Sequence, residues 1–149
     1  MVAGYSRAGS EIDPAPVMAE LARRAGGALR LALPATTALD APLSFRAWAP
    51  GQALAPDLMG LAAPPASAPA VRPDLVIAPL LAFDARGGRL GQGGGHYDRT
   101  LAALRAHGPV FVLGLAFAGQ EVEALELAPH DQRLDAVLTD EGYRAFEQD

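Results

Sequence analysis

The sequence predicts an α/β protein with a three-layer, Rossmann-like fold and a mainly parallel central sheet. Residues 74–81 and 109–117 are nearly continuous apolar runs, which are typical of strands buried on both faces of a parallel sheet. Patterns typical of strands and helices alternate along the chain, as they do in layered α/β folds. The 149 residues suffice for one core, and we expect a single domain spanning residues 1–149.

The first half of the chain is expected to contain three strands and one helix. Strands are predicted at residues 1–5, 29–33 and 43–48. The second strand should close at Pro34, which cannot donate a hydrogen bond to a neighbouring strand. Asp13 is the predicted N-cap of the helix, with Pro14 as its first residue, and the glycine pair at 26–27 should end it.

A long segment without regular structure is predicted before the central strand. Residues 50–73 are rich in proline, alanine and glycine. Loops of that length are either functional covers or disordered. Because this one directly precedes the central strand, we hypothesise that it forms a lid over a substrate. Within the strand itself, at residues 74–81, Pro79 should end the pairing.

The second half is expected to continue the alternation. Tyr97, Leu101 and Leu104 recur at helical spacing, with Asp98 as the predicted N-cap and Gly108 as the end of the helix. Later elements are predicted as strands at 109–117 and 134–138 and a final helix at 140–146. Residues 121–127 fit either a short helix or an edge strand.

The composition argues against several classes of protein. A net charge of −5 argues against a general nucleic-acid binder, which usually presents a basic surface. All twelve basic residues are Arg, which excludes lysine nucleophiles and Schiff bases. The absence of Cys excludes disulfides, thiolate zinc sites and cysteine nucleophiles. Since no apolar segment approaches the length of a membrane span and no signal peptide is recognisable, we expect a cytoplasmic protein with no membrane partner.

The most informative stretch is Leu90-Gly91-Gln92-Gly93-Gly94-Gly95-His96-Tyr97-Asp98-Arg99, between a buried strand and a helix. Glycines permit unusual backbone angles, so successive N–H groups can form a concave nest that faces an anion. The first free amides of the helix, with the positive end of its dipole, add to that nest. Phosphate is the natural ligand of such a nest. The guanidinium groups of Arg89 and Arg99 could each bind it through two parallel hydrogen bonds. The ordinary alternative is a flexible loop, but here charged and aromatic side chains flank the glycines.

This stretch also resembles the signature of a known family. The match comprises Phe83-Asp84 and then Gly88-Arg89-Leu90-Gly91-x-Gly93-Gly94-Gly95-x-Tyr97-Asp98-Arg99. It extends to Tyr5 and Glu11-Ile12-Asp13 near the start, and to Pro129-His130-Asp131, Leu134-Asp135 and Leu138-Thr139 near the end. The pattern is similar to that of the 5-formyltetrahydrofolate cyclo-ligases, also called 5,10-methenyltetrahydrofolate synthetases. It is neither a Walker A loop nor a dinucleotide-binding fingerprint.

The resemblance implies a ligase of folate and one-carbon metabolism that depends on ATP and Mg²⁺. Such an enzyme closes 5-formyltetrahydrofolate to 5,10-methenyltetrahydrofolate and releases ADP and phosphate. The family transfers the γ-phosphoryl group to the formyl oxygen, after which N10 attacks and phosphate is expelled. The protein's part in such a reaction is positioning and charge neutralisation. We expect the chain to act as a monomer, with folate and ATP as its partners.

The resemblance also assigns roles to individual residues. The catalytic roles fall to Glu11, Tyr97 and Arg89. The ATP-binding roles fall to Arg89, Leu90, Gly91, Gln92, Gly93, Gly94, Gly95, His96, Tyr97 and Arg99, and the Mg²⁺ ligands are Asp98 and Asp131. Judged without the family, Glu11 would more commonly be a solvated acid, Asp98 a helix cap and Asp131 an ordinary loop acid.

The sequence departs from the family pattern in two respects. Gln92 and His96 occupy positions that are usually aromatic, and the chain begins at the first strand, without the family's N-terminal basic helix. Either the start site is misplaced, or the sequence is a fragment, or this version has lost part of its ATP site; without the helix an apolar face of the sheet should also be exposed. Two rival interpretations are a truncated, weakly catalytic folate-binding protein, and a sugar-phosphate isomerase or CoA-transferase-like enzyme that uses the glycine loop for another phosphate.

Overall fold

A seven-stranded sheet forms the centre of the molecule in a computed structural model that describes residues 1–148. The helices are α1 (Ala15–Arg24) and α2 (His96–His107), and a short 3₁₀ helix covers Ala118–Gln120. The strands are β1 (Val2–Ala3), β2 (Leu31–Ala35), β3 (Ser44–Trp48), β4 (Ala55–Pro56), β5 (Ala62–Ala63), β6 (Leu75–Ala78), β7 (Ala82–Phe83), β8 (Arg89–Leu90), β9 (Phe111–Leu115), β10 (Ala136–Thr139) and β11 (Gly142–Ala145). Neither helix in residues 1–148 is long and apolar enough to span a bilayer.

The sheet is mainly parallel, as the sequence predicts. Its strand order is β11-β10-β9-β6-β1-β2-β3. The five inner strands pair in parallel, whereas β3 and β11 pair antiparallel to β2 and β10 at the two edges. The predicted α/β class with a mainly parallel sheet is therefore confirmed.

Side chains of the central strand alternate between two apolar layers. Val76 and Ala78 pack into the same buried cluster as Leu101 of α2. Ile77, which lies between them, packs into a second cluster with Met18 of α1. Because successive side chains of a strand point to opposite faces, the two helices cover opposite faces of the sheet. This is the three-layer arrangement.

The predicted final helix at 140–146 is wrong. Residues 142–145 form β11, which pairs with β10 across a tight turn. Gly142 adopts a φ of +129° just after that turn, a conformation that a helix does not contain and that glycine tolerates. Backbone pairing with β10 thus outweighs the helical preference of this short segment.

Three smaller boundary predictions also differ from the structure. Helix α2 begins at His96, with Gly95 as its N-cap, so Asp98 lies in the first turn. Helix α1 has Pro14 as its N-cap, although the Asp13 carboxylate accepts a hydrogen bond from the Ala15 N–H at 3.0 Å. Strand β2 continues past Pro34 to Ala35, because its pairing with β1 stops at Ala32 and Pro34 has a neighbouring strand only on the β3 side.

The segments that the sequence left irregular or open are each tied to the rest of the fold. Within residues 50–73, β4 and β5 form a small antiparallel hairpin. Residues 121–127 belong to no helix or strand. Glu121 forms an isolated parallel β-bridge with Phe83. The pairing of β6 ends at Ala78, just before Pro79, as predicted.

Candidate functional site

A cavity of about 540 Å³ opens at the carboxyl ends of β1, β2 and β6. These three strands are neighbours and parallel, so the residues that follow them meet at one edge of the sheet. Tyr5 and Ser6 follow β1, Thr36 follows β2, and Pro79 and Leu80 follow β6, and all five line the cavity. This is the edge at which open α/β sheets bind ligands.

The glycine loop forms one wall of the cavity and presents a row of unpaired amides. Residues 91–95 all line the cavity and lead directly into α2. Within residues 1–148, the N–H groups of residues 92–96 donate no hydrogen bond to another residue. Gly93 and Gly95 have φ values of +99° and +72°, which bend the chain into this concave shape. Together with the N-terminus of α2, the loop has the geometry of an anion nest.

Arg89 is buried in the cavity wall beside this loop. Its side chain is only 9% exposed, and its Nε donates a hydrogen bond to the Pro79 carbonyl at 2.8 Å. Its guanidinium carbon lies 5.1 Å from the centre of the Tyr97 ring. A Cβ on Gly91 would come within 2.9 Å of the Arg89 Nη2, so a larger residue there would force the guanidinium to move.

The charge of Arg89 is surrounded by acidic groups of the same cavity. Burial lowers the pKa of Arg89 below its usual range, because desolvation disfavours the charged form. Tyr97 and Asp98 oppose that shift, and so do Glu11 and Asp131. The last three are carboxylates, so the site combines one buried cation with several acids around it. An incoming anion would meet the cation and the free amides together.

Two tyrosines line the cavity in their neutral form. Burial raises the pKa of the Tyr97 hydroxyl above its usual range, although Arg89 acts in the opposite direction. Burial also raises the pKa of Tyr5, with Glu11 adding to the effect. The Tyr5 hydroxyl donates a hydrogen bond to the Ile12 carbonyl. Both hydroxyls therefore remain hydrogen-bond donors at neutral pH.

Glu11 is held in a turn within the segment that joins β1 to α1. Its Oε1 accepts a hydrogen bond from the Ala8 N–H at 2.9 Å, and the Glu11 N–H donates to the Ala8 carbonyl at 3.2 Å. This reciprocal pair fixes the orientation of the carboxylate. Glu11 and Ala8 both line the cavity, so Oε2 is the oxygen left for a ligand.

Asp98 and Asp131 lie in the same cavity although 33 positions separate them in the chain. Oδ1 of Asp98 accepts a hydrogen bond from the Gln132 N–H at 2.9 Å, which joins α2 to the Asp131 loop. Oδ2 of Asp131 accepts one from the Ala128 N–H at 2.7 Å. Each carboxylate thus uses one oxygen to hold the fold. The other oxygen of Asp98 has no partner among residues 1–148, whereas Oδ1 of Asp131 lies 3.6 Å from Nε2 of the exposed His130.

This pair of acids suits a cation that draws further ligands from elsewhere. No group of three or more His, Asp or Glu side chains in residues 1–148 is arranged to bind a metal. Mg²⁺ usually takes one or two carboxylates and completes its shell with phosphate oxygens and water. The two carboxylates beside the glycine loop fit Mg²⁺ of that kind, bound together with a phosphate ligand.

Arg99 stands apart from the other predicted site residues. All of them except Arg99 line the cavity. The Nη2 of Arg99 donates hydrogen bonds to the carbonyl oxygens of Gly94, at 2.8 Å, and Leu39, at 3.2 Å. The structure thus engages Nη2 of Arg99 with backbone oxygens outside the cavity lining, and direct contact of Arg99 with phosphate stays a prediction.

Sequence reasoning missed the cavity wall formed by the β4–β5 hairpin. The cavity is lined by four residues of this segment: Asp57, Met59, Leu61 and Ala62. The sequence predicts their loop only as a lid. The signal in the sequence was Asp57-Leu58-Met59-Gly60. An Asp often accepts a hydrogen bond from the N–H two residues later, as Asp57 does from Met59, and a glycine such as Gly60 allows the positive φ of a turn. The hairpin is fastened to the sheet end by a hydrogen bond from the Ser6 hydroxyl to the Ala62 carbonyl.

Comparisons with known proteins agree on one family. The model of the 5-formyltetrahydrofolate cyclo-ligase family matches residues 1–140. The 5-formyltetrahydrofolate cyclo-ligase of Escherichia coli K12 is 46% identical over 71 residues, which are 48% of this chain and 38% of the relative. The enzyme of the same name from Mycolicibacterium smegmatis is 34% identical over 103 residues, 66% of this chain and 51% of the relative.

Solved structures match the fold over nearly the whole chain. The NMR structure of Aquifex aeolicus 5,10-methenyltetrahydrofolate synthetase superposes with a TM-score of 0.75 at 27% identity, covering 99% of this chain and 72% of that one. The Mycoplasma pneumoniae 5,10-methenyltetrahydrofolate synthetase gives a TM-score of 0.66, covering 93% and 72%; at 23% identity this likeness concerns the fold alone. The chain spans about two fifths to one half of the length of the curated relatives above.

Proposed function

The chain belongs to the 5-formyltetrahydrofolate cyclo-ligase family, and from that premise we propose that it converts 5-formyltetrahydrofolate to 5,10-methenyltetrahydrofolate. The reaction consumes ATP, requires Mg²⁺ and releases ADP and phosphate. The proposal rests on one observation: the anion nest, the buried Arg89 and the pair of aspartates all line the same cavity. An ordinary folate-binding pocket would need neither the nest nor the paired acids.

The phosphates of ATP bind along the glycine loop in this proposal. The unpaired amides of residues 92–96 donate to phosphate oxygens, and Arg89 adds a positive charge that water does not screen. Since β8 delivers Arg89 and α2 follows the loop, both sources of positive potential converge on the same part of the cavity. Phosphoryl transfer depends chiefly on such positioning and charge stabilisation.

Asp98 and Asp131 are the proposed Mg²⁺ ligands. Their backbone contacts fix them. Asp98 would bind the ion through its second carboxylate oxygen, and Asp131 would bind it through Oδ1, next to the exposed His130. When bound, Mg²⁺ neutralises charge that develops on the phosphate oxygens. The carboxylates themselves hold the ion against the mouth of the nest, and the Asp98 contact with Gln132 keeps the two loops together.

The folate occupies the part of the cavity between Glu11 and the β4–β5 hairpin. Glu11 accepts hydrogen bonds from N–H groups of the pterin and so orients the formamide, and Tyr97 packs beside the reacting carbon. Met59 and Leu61, which are 52% and 39% exposed at the rim, offer apolar surface to the aromatic parts of the substrate. This arrangement brings the formyl oxygen toward the glycine loop, where the phosphates bind.

The chemistry then requires the γ-phosphoryl group to move to the formyl oxygen. The P–O bond to ADP breaks as a bond to the formyl oxygen forms, which makes that oxygen a good leaving group. N10 attacks the formyl carbon and loses its proton, and phosphate leaves with the oxygen. The chain's part is to hold both reactants in contact and to balance the negative charge, mainly through Arg89 and the loop amides.

The test is an absorbance assay for the methenyl product. Purified protein is mixed with 5-formyltetrahydrofolate, ATP and Mg²⁺, and each component is omitted in turn. Product that appears only in the complete mixture supports the proposal. Folate binding without turnover would favour a sequestering protein instead, and the absence of both folate binding and turnover would favour a phosphosugar or CoA enzyme.

A further inference from the structure

The first turns of α2 hold the glycine loop against the loop that joins β2 to β3. Nη2 of Arg99 bridges the carbonyl oxygens of Gly94 and Leu39, at 2.8 and 3.2 Å. One residue further along, Oγ1 of Thr100 accepts a hydrogen bond from the Leu43 N–H at 2.8 Å. The guanidinium therefore acts as a clip between two backbone segments, on the side of the glycine loop that faces away from the cavity.

The clip fixes the orientation of one peptide group. The Gly94–Gly95 peptide is trans, as is every peptide bond in residues 1–148. In a trans peptide the C=O and the N–H point in opposite directions from one plane. Because Arg99 binds the Gly94 oxygen, the Gly95 N–H must point away from Arg99. Gly95 lines the cavity whereas Arg99 does not, and the Gly95 N–H donates to no other group among residues 1–148, so it is free to bind a ligand there.

The fit around this peptide is tight. A Cβ placed on Gly95 would lie 2.8 Å from Nη1 of Arg99, so the guanidinium packs directly against the loop backbone. Nε of Arg99 is buried and has no hydrogen-bond partner among residues 1–148. Leaving a buried donor unpaired is unfavourable, which indicates that the contacts of Nη2 determine where the side chain lies.

We propose that Arg99 is a positioning residue for the nucleotide: it holds the Gly94 carbonyl so that the Gly95 amide is preset to donate to a phosphate oxygen. Arg99 itself does not touch the phosphate. The inference rests on the proposed function, because it assumes that a phosphate occupies the nest. Its consequence is specific: loss of Arg99 should weaken triphosphate binding while folate binding, on the other side of the cavity, is retained.

The experiment compares wild type with Arg99→Met, Arg99→Lys and the control Arg24→Met, which changes an exposed arginine of α1. Affinities for Mg-ATP and, separately, for 5-formyltetrahydrofolate are measured by calorimetry. The response of the Gly95 amide to inorganic triphosphate is followed by NMR of ¹⁵N-labelled protein. We expect Arg99→Met to raise the Kd of Mg-ATP about tenfold, as expected for the loss of one well-placed hydrogen bond, with folate affinity changed less than twofold. Lysine, which can still donate to the Gly94 oxygen, should give an intermediate value.

The outcomes separate the two proposals. A wild-type chain that binds neither Mg-ATP nor triphosphate would overturn the proposed function and this inference together. If wild type binds and Arg99→Met leaves both the affinity and the Gly95 response unchanged, the inference alone fails. If Arg99→Met does not fold, Arg99→Lys decides: a weakened Gly95 response supports the inference and a response equal to that of wild type overturns it. An equal loss of ATP and folate affinity would mean that Arg99 supports only the fold.

Discussion

The guanidinium of Arg89 lies against the ring of Tyr97, with its carbon 5.1 Å from the ring centre and its Nε bonded to the Pro79 carbonyl. A cation–π contact and one hydrogen bond thus hold a buried positive charge at the wall of the nest. The charge is held in place before any ligand arrives, so little reorganisation is needed when an anion binds.

Replacement of Arg89 should abolish most of the activity. In Arg89→Met the acids Glu11, Asp98 and Asp131 lose their nearby cation, and the transferring phosphoryl group loses a charge partner. We expect turnover to fall by at least about 10²-fold, the scale seen when a preorganised donor is removed. Lysine keeps the charge but not the planar contact with Tyr97, so Arg89→Lys should recover only part of the activity. Methenyl formation measures both; full activity in Arg89→Met would contradict the prediction.

Asp98→Asn should depress turnover far more than folate binding. Asparagine keeps an oxygen for the Gln132 N–H, so the contact between α2 and the Asp131 loop survives, whereas the charge available to Mg²⁺ is lost. We expect the Mg²⁺ concentration for half-maximal activity to rise about tenfold or more, since each carboxylate contributes a large share of the protein's ligands. The matched control is Glu123→Gln, which changes an exposed acid outside the cavity. Equal losses of turnover and folate affinity would mean that Asp98 supports only the fold.

Gly95→Ala should disturb both stability and nucleotide binding. The residue has a φ of +72°, and a methyl group there would meet Nη1 of Arg99 at 2.8 Å. The left-handed backbone alone costs an alanine about 1–2 kcal/mol. Gly26→Ala is the control: its φ is +63° and nothing lies within 4 Å of its Cβ, so it should lose stability without losing ATP affinity. Urea unfolding and ATP titration separate the two effects, and identical behaviour of the two variants would refute the expectation.

Local patterns made the central part of the fold predictable. The apolar run that becomes β6 is buried on both faces, and a sequence of that kind has few alternatives to a central parallel strand. The glycine loop was also predictable, because several glycines between a strand and an amphipathic helix permit the positive φ angles that an anion nest requires. Asp98 and Asp131 could be linked only through the family resemblance, since no local signal relates positions so far apart.

The errors arose where tertiary pairing decides the outcome. Residues 142–145 look helical in isolation but gain backbone hydrogen bonds from β10, which the local sequence does not reveal. Arg99 has the chemistry of a phosphate ligand, yet its Nη2 donates to the Leu39 carbonyl, 60 positions earlier in the chain. The role of a side chain that points behind a loop instead of into the cavity depends on three-dimensional contacts, so the sequence alone did not supply it.

The buried carboxylate of Asp84 should make stability fall in acid. Burial raises its pKa, but backbone N–H groups of Leu125, Gly88 and Arg86 outweigh burial, so the pKa of Asp84 is held below its usual range. Because the pKa is lower in the folded state, the carboxylate stabilises the fold at pH values above its pKa in the unfolded chain, which is near 4. This contribution is lost as the pH falls through the pKa of the folded state.

Asp84→Asn tests this relationship. At pH 7 the free energy of unfolding of this variant should be about 1–3 kcal/mol lower than that of wild type. The reason is that the NH₂ group of asparagine would face a backbone N–H whose hydrogen bond the carboxylate accepts in the wild type. Its free energy of unfolding should also change less than that of wild type between pH 7 and pH 3. Urea unfolding across that range measures both, with Glu123→Gln as the surface control. Parallel pH profiles for wild type and Asp84→Asn would exclude Asp84 as the source of the acid dependence.

Asp57 should control the β4–β5 hairpin that forms the outer wall of the cavity. Its Oδ1 accepts hydrogen bonds from the Met59 and Leu61 N–H groups, at 2.9 and 3.0 Å, and its Oδ2 accepts one from the Thr36 N–H at 2.8 Å. The first pair shapes the turn, and the third bond fastens the turn to the end of β2. The contacts that close the hairpin and those that attach it to the sheet are therefore chemically separable.

Asp57→Asn should loosen the attachment of the hairpin without unravelling it, because the Ser6–Ala62 and Leu58–Thr36 hydrogen bonds remain. An asparagine oxygen can still accept from Met59 and Leu61, but its NH₂ group faces the Thr36 N–H and cannot accept from it. We expect faster amide hydrogen exchange in residues 55–63, and a rise of about tenfold in the Kd of 5-formyltetrahydrofolate, which corresponds to roughly 1.4 kcal/mol. ATP affinity should stay within twofold, because the glycine loop lies on another wall. If folate binding leaves hydrogen exchange of this hairpin unchanged in the wild-type protein, the segment is a fixed wall and the lid hypothesis is wrong.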